Sequence, residues 1–192
     1  MNKKILYSLI GLALVFFFSS LIIFIKSGKE PQNNQSSSLK DQAGQPLPGS
    51  SRMKVKAFFF VESTRFMVPV DYEIELSSTR EENYHKFIDL LLKGEENYIA
   101  PVPEGVELRT LYLIEKPGML VLDFTEELIQ KFPAGTASEL EFIYFMVNNI
   151  CYNFSEIKKV KFLIAGNEIQ TISGHIDIEQ PFYPNFRYFK DE

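Results

Sequence analysis

The stretch Lys161–Phe182, "KFLIAGNEIQTISGHIDIEQPF", decides whether the chain repeats one supersecondary unit or stops short of it. It opens in the second half of the strand-like run "KKVKFLIAG", turns at Gly166–Asn167 and returns over Glu168–Ile172. Past Gly174, His175, Asp177 and Glu179 alternate with Ile176 and Ile178. In an extended strand every second side chain shares a face. The pattern therefore predicts a final strand with its isoleucines in the core and a solvated polar face, Gly174 marking a bulge or tight bend. A histidine with two carboxylates is also a legitimate set of metal ligands. At i, i+2 and i+4 of a flat strand, however, the outer Cβ atoms lie roughly 13 Å apart, too far to share one ion. The segment reads as structural, with no metal and no cofactor.

Working back toward the N-terminus, two helices separate pairs of strands. "KVKAFFFVE" (Lys54–Glu62) becomes a continuous Phe run, as expected of a strand buried on both faces. "VDYEIEL" alternates Val70, Tyr72, Ile74 and Leu76 against Asp71, Glu73 and Glu75, a half-buried strand. "SSTREENYHKFIDLLLKG" then pairs Ser78 with Glu81 as a capping box. Tyr84, Phe87, Ile88, Leu91 and Leu92 form one apolar helical stripe, ended by Gly94. His85 lies on the flank of that stripe, without a ligating partner at i+4 on an apolar face, and reads as a surface residue. Val106–Ile114 and Met119–Phe124 are strand-like and flank the turn signal Pro117–Gly118, which predicts a hairpin. Thr136 or Ser138, with Glu139 or Glu141 three residues on, should cap a second, more deeply buried helix. The order is β-β-α-β-β-α-β-β: an α+β fold, with two helices on one face of a mixed sheet.

This domain, residues 52–192, comes after a different kind of sequence. Ile5–Ile25 holds 21 residues and no charge, matching the roughly 20 that cross a bilayer as a helix. The run exceeds the apolar core of a signal peptide, and large residues succeed its only small pair, Ser19–Ser20. It reads as an uncleaved transmembrane signal anchor, residues 5–25, after a short cytoplasmic N-terminus, residues 1–4. Lys3 and Lys4 bias the N-terminus inward, placing the chain after Lys26 outside the cytoplasmic membrane as a single-pass protein. Residues 26–51, rich in Ser, Gln, Asn, Gly and Pro, form a flexible linker spanning on average roughly 25–30 Å.

Charge and composition exclude several roles. From Arg52 to Glu192 there are 15 Lys+Arg against 23 Asp+Glu, a formal −8; nucleic acid and anionic lipid surfaces both demand a basic footprint. The lone Cys151 cannot form a disulfide within the chain and sits in an apolar helical pattern, a small buried residue rather than a nucleophile. There is no Gly-x-Ser-x-Gly, His-Glu-x-x-His or phosphate-binding glycine loop. Carboxylate pairs such as Glu81–Glu82, Glu95–Glu96 and Glu126–Glu127 read as solvated faces. The C-terminal "PFYPNFRYF" is unlike a solvent-exposed tail. Phe182, Tyr183, Phe186, Arg187, Tyr188 and Phe189 either fold back over a sheet edge or groove, or form a docking strip for a protein or the membrane interface.

With its elements in this order, the domain resembles the GerMN family of sporulation and spore-germination proteins. "FMVPVDYEI" is similar to the family's early strand and "FIDLLLKG" to its helix end, with Gly94 kept and Glu95 where proline is common. "VPEGVELRTLYLIEKPGMLVLDFTEEL" carries Pro103, Gly105, Asp123, Phe124 and Leu128 of its hairpin pattern. "VKFLIAGNEIQTISGHIDIEQPF" carries Gly166, Gly174, His175, Asp177 and Pro181 of its closing segment. The likeness covers roughly residues 54–184. "NNICYNF" departs from it by lacking the Thr-Leu commonly found in the second helix. The resemblance implies a non-catalytic envelope module, similar to the ring-building units of sporulation channels, that packs against itself or a partner protein. The competing expectation is an accessory domain that binds or hydrolyses peptidoglycan.

Overall fold

A computed structural model describes residues 51–62, 64 and 66–190. The predicted membrane span, the linker before Ser51 and the last two residues lie outside the described residues. Within them no helix is long and apolar enough to cross a membrane.

Among the described residues, five strands, three helices and one 3-10 turn make up the domain. They are β1 (Arg52–Phe60), β2 (Met67–Glu75), α1 (Arg80–Lys93), β3 (Leu108–Ile114), β4 (Met119–Phe124), α2 (Glu127–Gln130), α3 (Thr136–Asn153), β5 (Lys159–Ile164) and the turn Phe186–Tyr188. The mixed α+β class is as expected, but the single sheet is not. β1 and β2 form an antiparallel pair of their own, while β3, β4 and β5 form a second sheet in that order. β3 and β4 run antiparallel, and β4 and β5 parallel. β4 is the central strand and buried at five of its six positions, as a strand flanked on both sides must be.

α3 explains why the sheets stay separate. Asn149 accepts the Phe58 backbone N–H at 2.7 Å and donates to the Phe58 carbonyl at 2.9 Å. One turn later Asn153 does the same for Lys56, at 2.9 and 2.8 Å. Four residues of helix advance by about 6 Å, and two residues of strand by about 6.8 Å. Asparagines at i and i+4 therefore match the repeat of backbone groups along a strand edge. Their amides stand where a neighbouring strand would be, and β1 has no edge left to offer β5. Both asparagines come from "NNICYNF", the segment that lacks the Thr-Leu of the family pattern.

The helical stripe predicted for α1 is in place. Tyr84, Phe87, Ile88 and Leu91 are buried, and Gly94, at φ 73°, closes the helix through its N–H to the Leu91 carbonyl. The N-cap is Thr79 rather than Ser78; its hydroxyl accepts from Glu82 N at 3.3 Å. The β3–β4 hairpin turns where Pro117–Gly118 signalled. Gly118 has φ 79°, and a Cβ there would meet the Glu156 carbonyl at 2.5 Å, so only glycine fits. β3 begins at Leu108 rather than Val106, with an irregularity between Leu108 and Thr110. The core joins both sheets through α3: Phe142 meets Phe124 and Phe162 of the second sheet, and Phe145 meets Phe59 of the first.

The predicted return strand over Glu168–Ile172 and its continuation past Gly174 are absent. Ile164 and Asn167 make a single bridge, and the chain from Glu168 to Glu179 has no regular structure. Three of its backbone N–H groups, those of Ser173, His175 and Ile176, share another acceptor.

Candidate functional site

That acceptor is Glu139, in the first turn of α3 and 0% exposed. Its carboxylate receives the Ser173 hydroxyl at 2.7 Å, the Ile176 N–H at 2.5 Å, the His175 N–H at 3.4 Å and the Ser173 N–H. Burial pushes this carboxyl's pKa up, but the hydrogen bonds from Ser173, Ile176 and His175 outweigh it and hold the group below the usual carboxylate range. The residue expected to complete a capping box instead organises the loop; α3 starts at Gly135 without any side-chain cap. The Ser173–Ile176 backbone is wrapped around an anion, and this rules out the extended geometry that alternation had predicted.

His175, Asp177 and Glu179 therefore share no face of a strand. The His175 ring lies 3.8 Å from Glu139, and Asp177 accepts the Glu179 N–H at 2.9 Å in a local turn. Ile178 is fully buried and Ile176 partly so, so the isoleucines do reach the core. Among the described residues no three His, Cys, Asp or Glu side chains gather closely enough to hold a metal ion. Ser173, Glu139 and His175 have the composition of a hydrolase triad, but both Ser173 and His175 address the same carboxylate. The imidazole does not stand between serine and acid, as proton relay requires.

Other titratable groups are also engaged. Asp123, 3% exposed, accepts Arg109 at 2.9 Å and the Gly166 N–H at 2.8 Å, tying the Asp-Phe of β4 to the glycine turn after β5. Tyr84 donates to Glu156 at 2.7 Å, and Tyr72 donates to Glu95; burial and then these carboxylates raise both phenols. Cys151 is buried, its thiol pushed up to about 12 by desolvation, an inert thiol. His85 sits at the surface, with Asp89 at i+4 on its solvated side, 2.9 Å away.

The aromatic tail folds back. Phe182 exchanges both backbone bonds with Val160 on the outer edge of β5. Asn185 exchanges two bonds with the side chain of Asn148 on α3, and Lys190 N–H reaches the Met67 carbonyl of β2. Phe189 stacks on Phe58 at 3.8 Å between ring centres, and Tyr188 on Tyr144 at 4.9 Å. Phe182, Tyr188 and Phe189 are thus partly buried cover, whereas Tyr183, Phe186 and Arg187 remain exposed. Of the family-pattern positions, Asp123 and Gly166 meet directly. Gly174 and His175 lie in the loop around Glu139, while Pro103 and Gly105 belong to the loop before β3. Sequence reasoning placed Glu139 as a cap rather than as the organiser of the loop, and missed Asn148, Asn149 and Asn153. The signal available was three asparagines, Asn148 and Asn149 directly after the apolar and aromatic run Phe142–Val147 and Asn153 one turn later.

A helix whose asparagines replace a strand, an acid that gathers a loop and a tail that seals two sheet edges define a small α+β structural module. The chain belongs to the Germane family, described as sporulation and spore germination, whose model matches residues 56–170. The fold is similar to the tandem GerMN domains of the sporulation protein GerM from Bacillus subtilis, at 15% identity and a TM-score of 0.54, covering 78% of this chain and 51% of that one. It is also similar to the first GerMN domain of that protein alone, at 14% identity and a TM-score of 0.52, covering 68% of this chain and 97% of the other. At these identities the likeness is one of fold. No curated protein matches the chain in sequence.

Proposed function

We propose that the chain is a membrane-tethered, extracytoplasmic interaction module of the cell envelope, serving sporulation or germination by holding a protein partner rather than by catalysis. The observation that carries this reading is the fate of its buried acids. Glu139 and Asp123 are saturated by donors from their own fold, so neither is free to move a proton to a substrate. Membership of a sporulation and germination family supplies the setting, and the uncharged run Ile5–Ile25 with the linker after it supplies the tether. Tethering raises the effective concentration, so a weak contact can suffice at the membrane.

Two measurements test it. A cysteine at Ser37 should react with an impermeant maleimide in intact cells or spheroplasts, against a background kept low by the buried Cys151; labelling only after lysis would place the domain inside. Crosslinking in the native envelope should yield a defined protein adduct. Shortened glycan strands after incubation with peptidoglycan would instead make the protein a wall hydrolase.

A further inference from the structure

The fold treats its sheet edges unequally. An edge strand presents unpaired N–H and C=O groups that another chain can extend, and proteins blunt such edges with proline, charge or a covering segment. On β1, Lys56 and Phe58 are taken by Asn153 and Asn149, and Phe60 exchanges both bonds with Ile99. On β2, the Met67 carbonyl is taken by Lys190 and the Glu75 carbonyl by Lys86, Pro69 has no N–H, and Asp71 and Glu73 add charge. On β5, Val160 is taken by Phe182 and Ile164 by Asn167.

On β3 no hydrogen bond from another segment among the described residues fills the row, and its one charged residue, Arg109, is paired with Asp123. Among the described residues the strand pairs only with β4, and no isolated bridge touches it. Thr110–Ile114 is uncharged and free of proline, with Tyr112 54% and Ile114 40% exposed. Beside this edge runs a groove of about 370 Å³, between β3 and the first turns of α1, lined by Ser77, Glu81, Glu82, His85, Lys86, Thr110 and Leu111. Of the other charged and polar groups here, Arg80 pairs with Glu115, the Lys86 ammonium is drawn to the Glu75 carbonyl at 2.8 Å, and the His85 ring meets Asp89. The carboxylates of Glu81 and Glu82 have no ion pair among the described residues.

We propose that the open edge of β3 takes up an extended, cationic segment of another protein as a fourth strand, lying in the groove beside Glu81 and Glu82. Backbone groups of β3 supply the ladder, and the two acids select the side chains facing α1. A second copy of this chain is the wrong occupant on charge. Pairing β3 with itself would bring both copies' Glu81 and Glu82 toward one seam, in domains already carrying a formal −8 over residues 52–192. The inference rests on the interaction-module reading and names its surface.

The test uses the full-length chain in detergent and labelled nine-residue peptides of alternating lysine and valine, with glutamate–valine counterparts. The lysine peptide should bind and slow amide exchange along Leu111–Leu113. Glu81→Gln with Glu82→Gln should weaken it at least tenfold, while the same change at Glu96 and Glu104 should leave it unaltered. Equal binding by the glutamate peptide, or by a lysine peptide N-methylated along one edge, would overturn the proposal. In the native envelope, photo-crosslinkers at Thr110 and at Tyr183 separate the two readings. An adduct at Thr110 with a Lys- or Arg-bearing segment of another protein supports the β3 site. Adducts only at Tyr183, or only between two copies, overturn it and leave the module standing. No protein adduct at either position removes both.

Discussion

The outer edges of β1 and β3 are chemically the same object, a row of backbone donors and acceptors, and the fold gives them opposite fates. At β1 the row is filled by Asn149 and Asn153 from a helix; at β3 no partner meets it among the described residues. The contrast teaches that a strand can be sealed without another strand, provided the sealing amides have the right spacing. A buried polar side chain such as Asn149 is thus a structural element of this protein.

The largest effect should come from breaking the sealed edge. Asn149→Leu keeps the branched outline of the side chain but orphans the Phe58 N–H and carbonyl in the core. Each buried unsatisfied group costs about 1–3 kcal/mol, so denaturant titration should show a loss of about 3–4 kcal/mol. A loss below about 1 kcal/mol would mean that the helix merely lies against β1.

Glu139→Gln should follow, at about 2–3 kcal/mol near neutral pH, because an amide points donors at the donors of Ser173 and Ile176. The sign with pH is fixed by the direction of the shift. A carboxyl held below its unfolded value stabilises the fold fully above that value, about 4.3, and loses this contribution as pH falls through the folded value. The native chain should therefore lose stability on acidification, and the Gln variant should show a shallower acid limb in thermal melts from about pH 7 to 3. Identical slopes would contradict the clasp.

Phe189→Ala removes the ring stacked on Phe58 and should cost about 1–2 kcal/mol, freeing the tail end in hydrogen-exchange measurements. Asn153→Ala should cost about 1 kcal/mol, less than Asn149, because Lys56 is half-buried and water can replace the lost bonds. Smallest of all, Tyr112→Thr on β3 should stay within about 0.5 kcal/mol. If it destabilised the domain as much as Asn149→Leu, β3 would be a covered strand and the contrast would collapse.

The elements with strong periodicity were legible. The α1 stripe, the Pro117–Gly118 hairpin and the two-sided burial of Phe58–Phe60 all follow from local pattern. The loop around Glu139 was not, because its isoleucines do alternate into the core while its backbone is bent by an acid far earlier in the chain. The tail lay between two readings. Its aromatic content demanded cover, and the structure places part of it as cover while leaving Tyr183 and Phe186 exposed.

By itself, the sequence determined the α+β class, the positions of the two long helices and the hairpin, and the family, since these depend on the spacing of apolar residues and turn formers along the chain. Only the tertiary structure decided that there are two sheets, which edges are closed, and that the last predicted strands do not form. Those outcomes turn on where a few polar side chains, Asn149, Asn153 and Glu139, find backbone partners far away in sequence. A hydrogen bond of that kind leaves no periodic trace, because its spacing is set by packing in three dimensions rather than by the repeat of any one element.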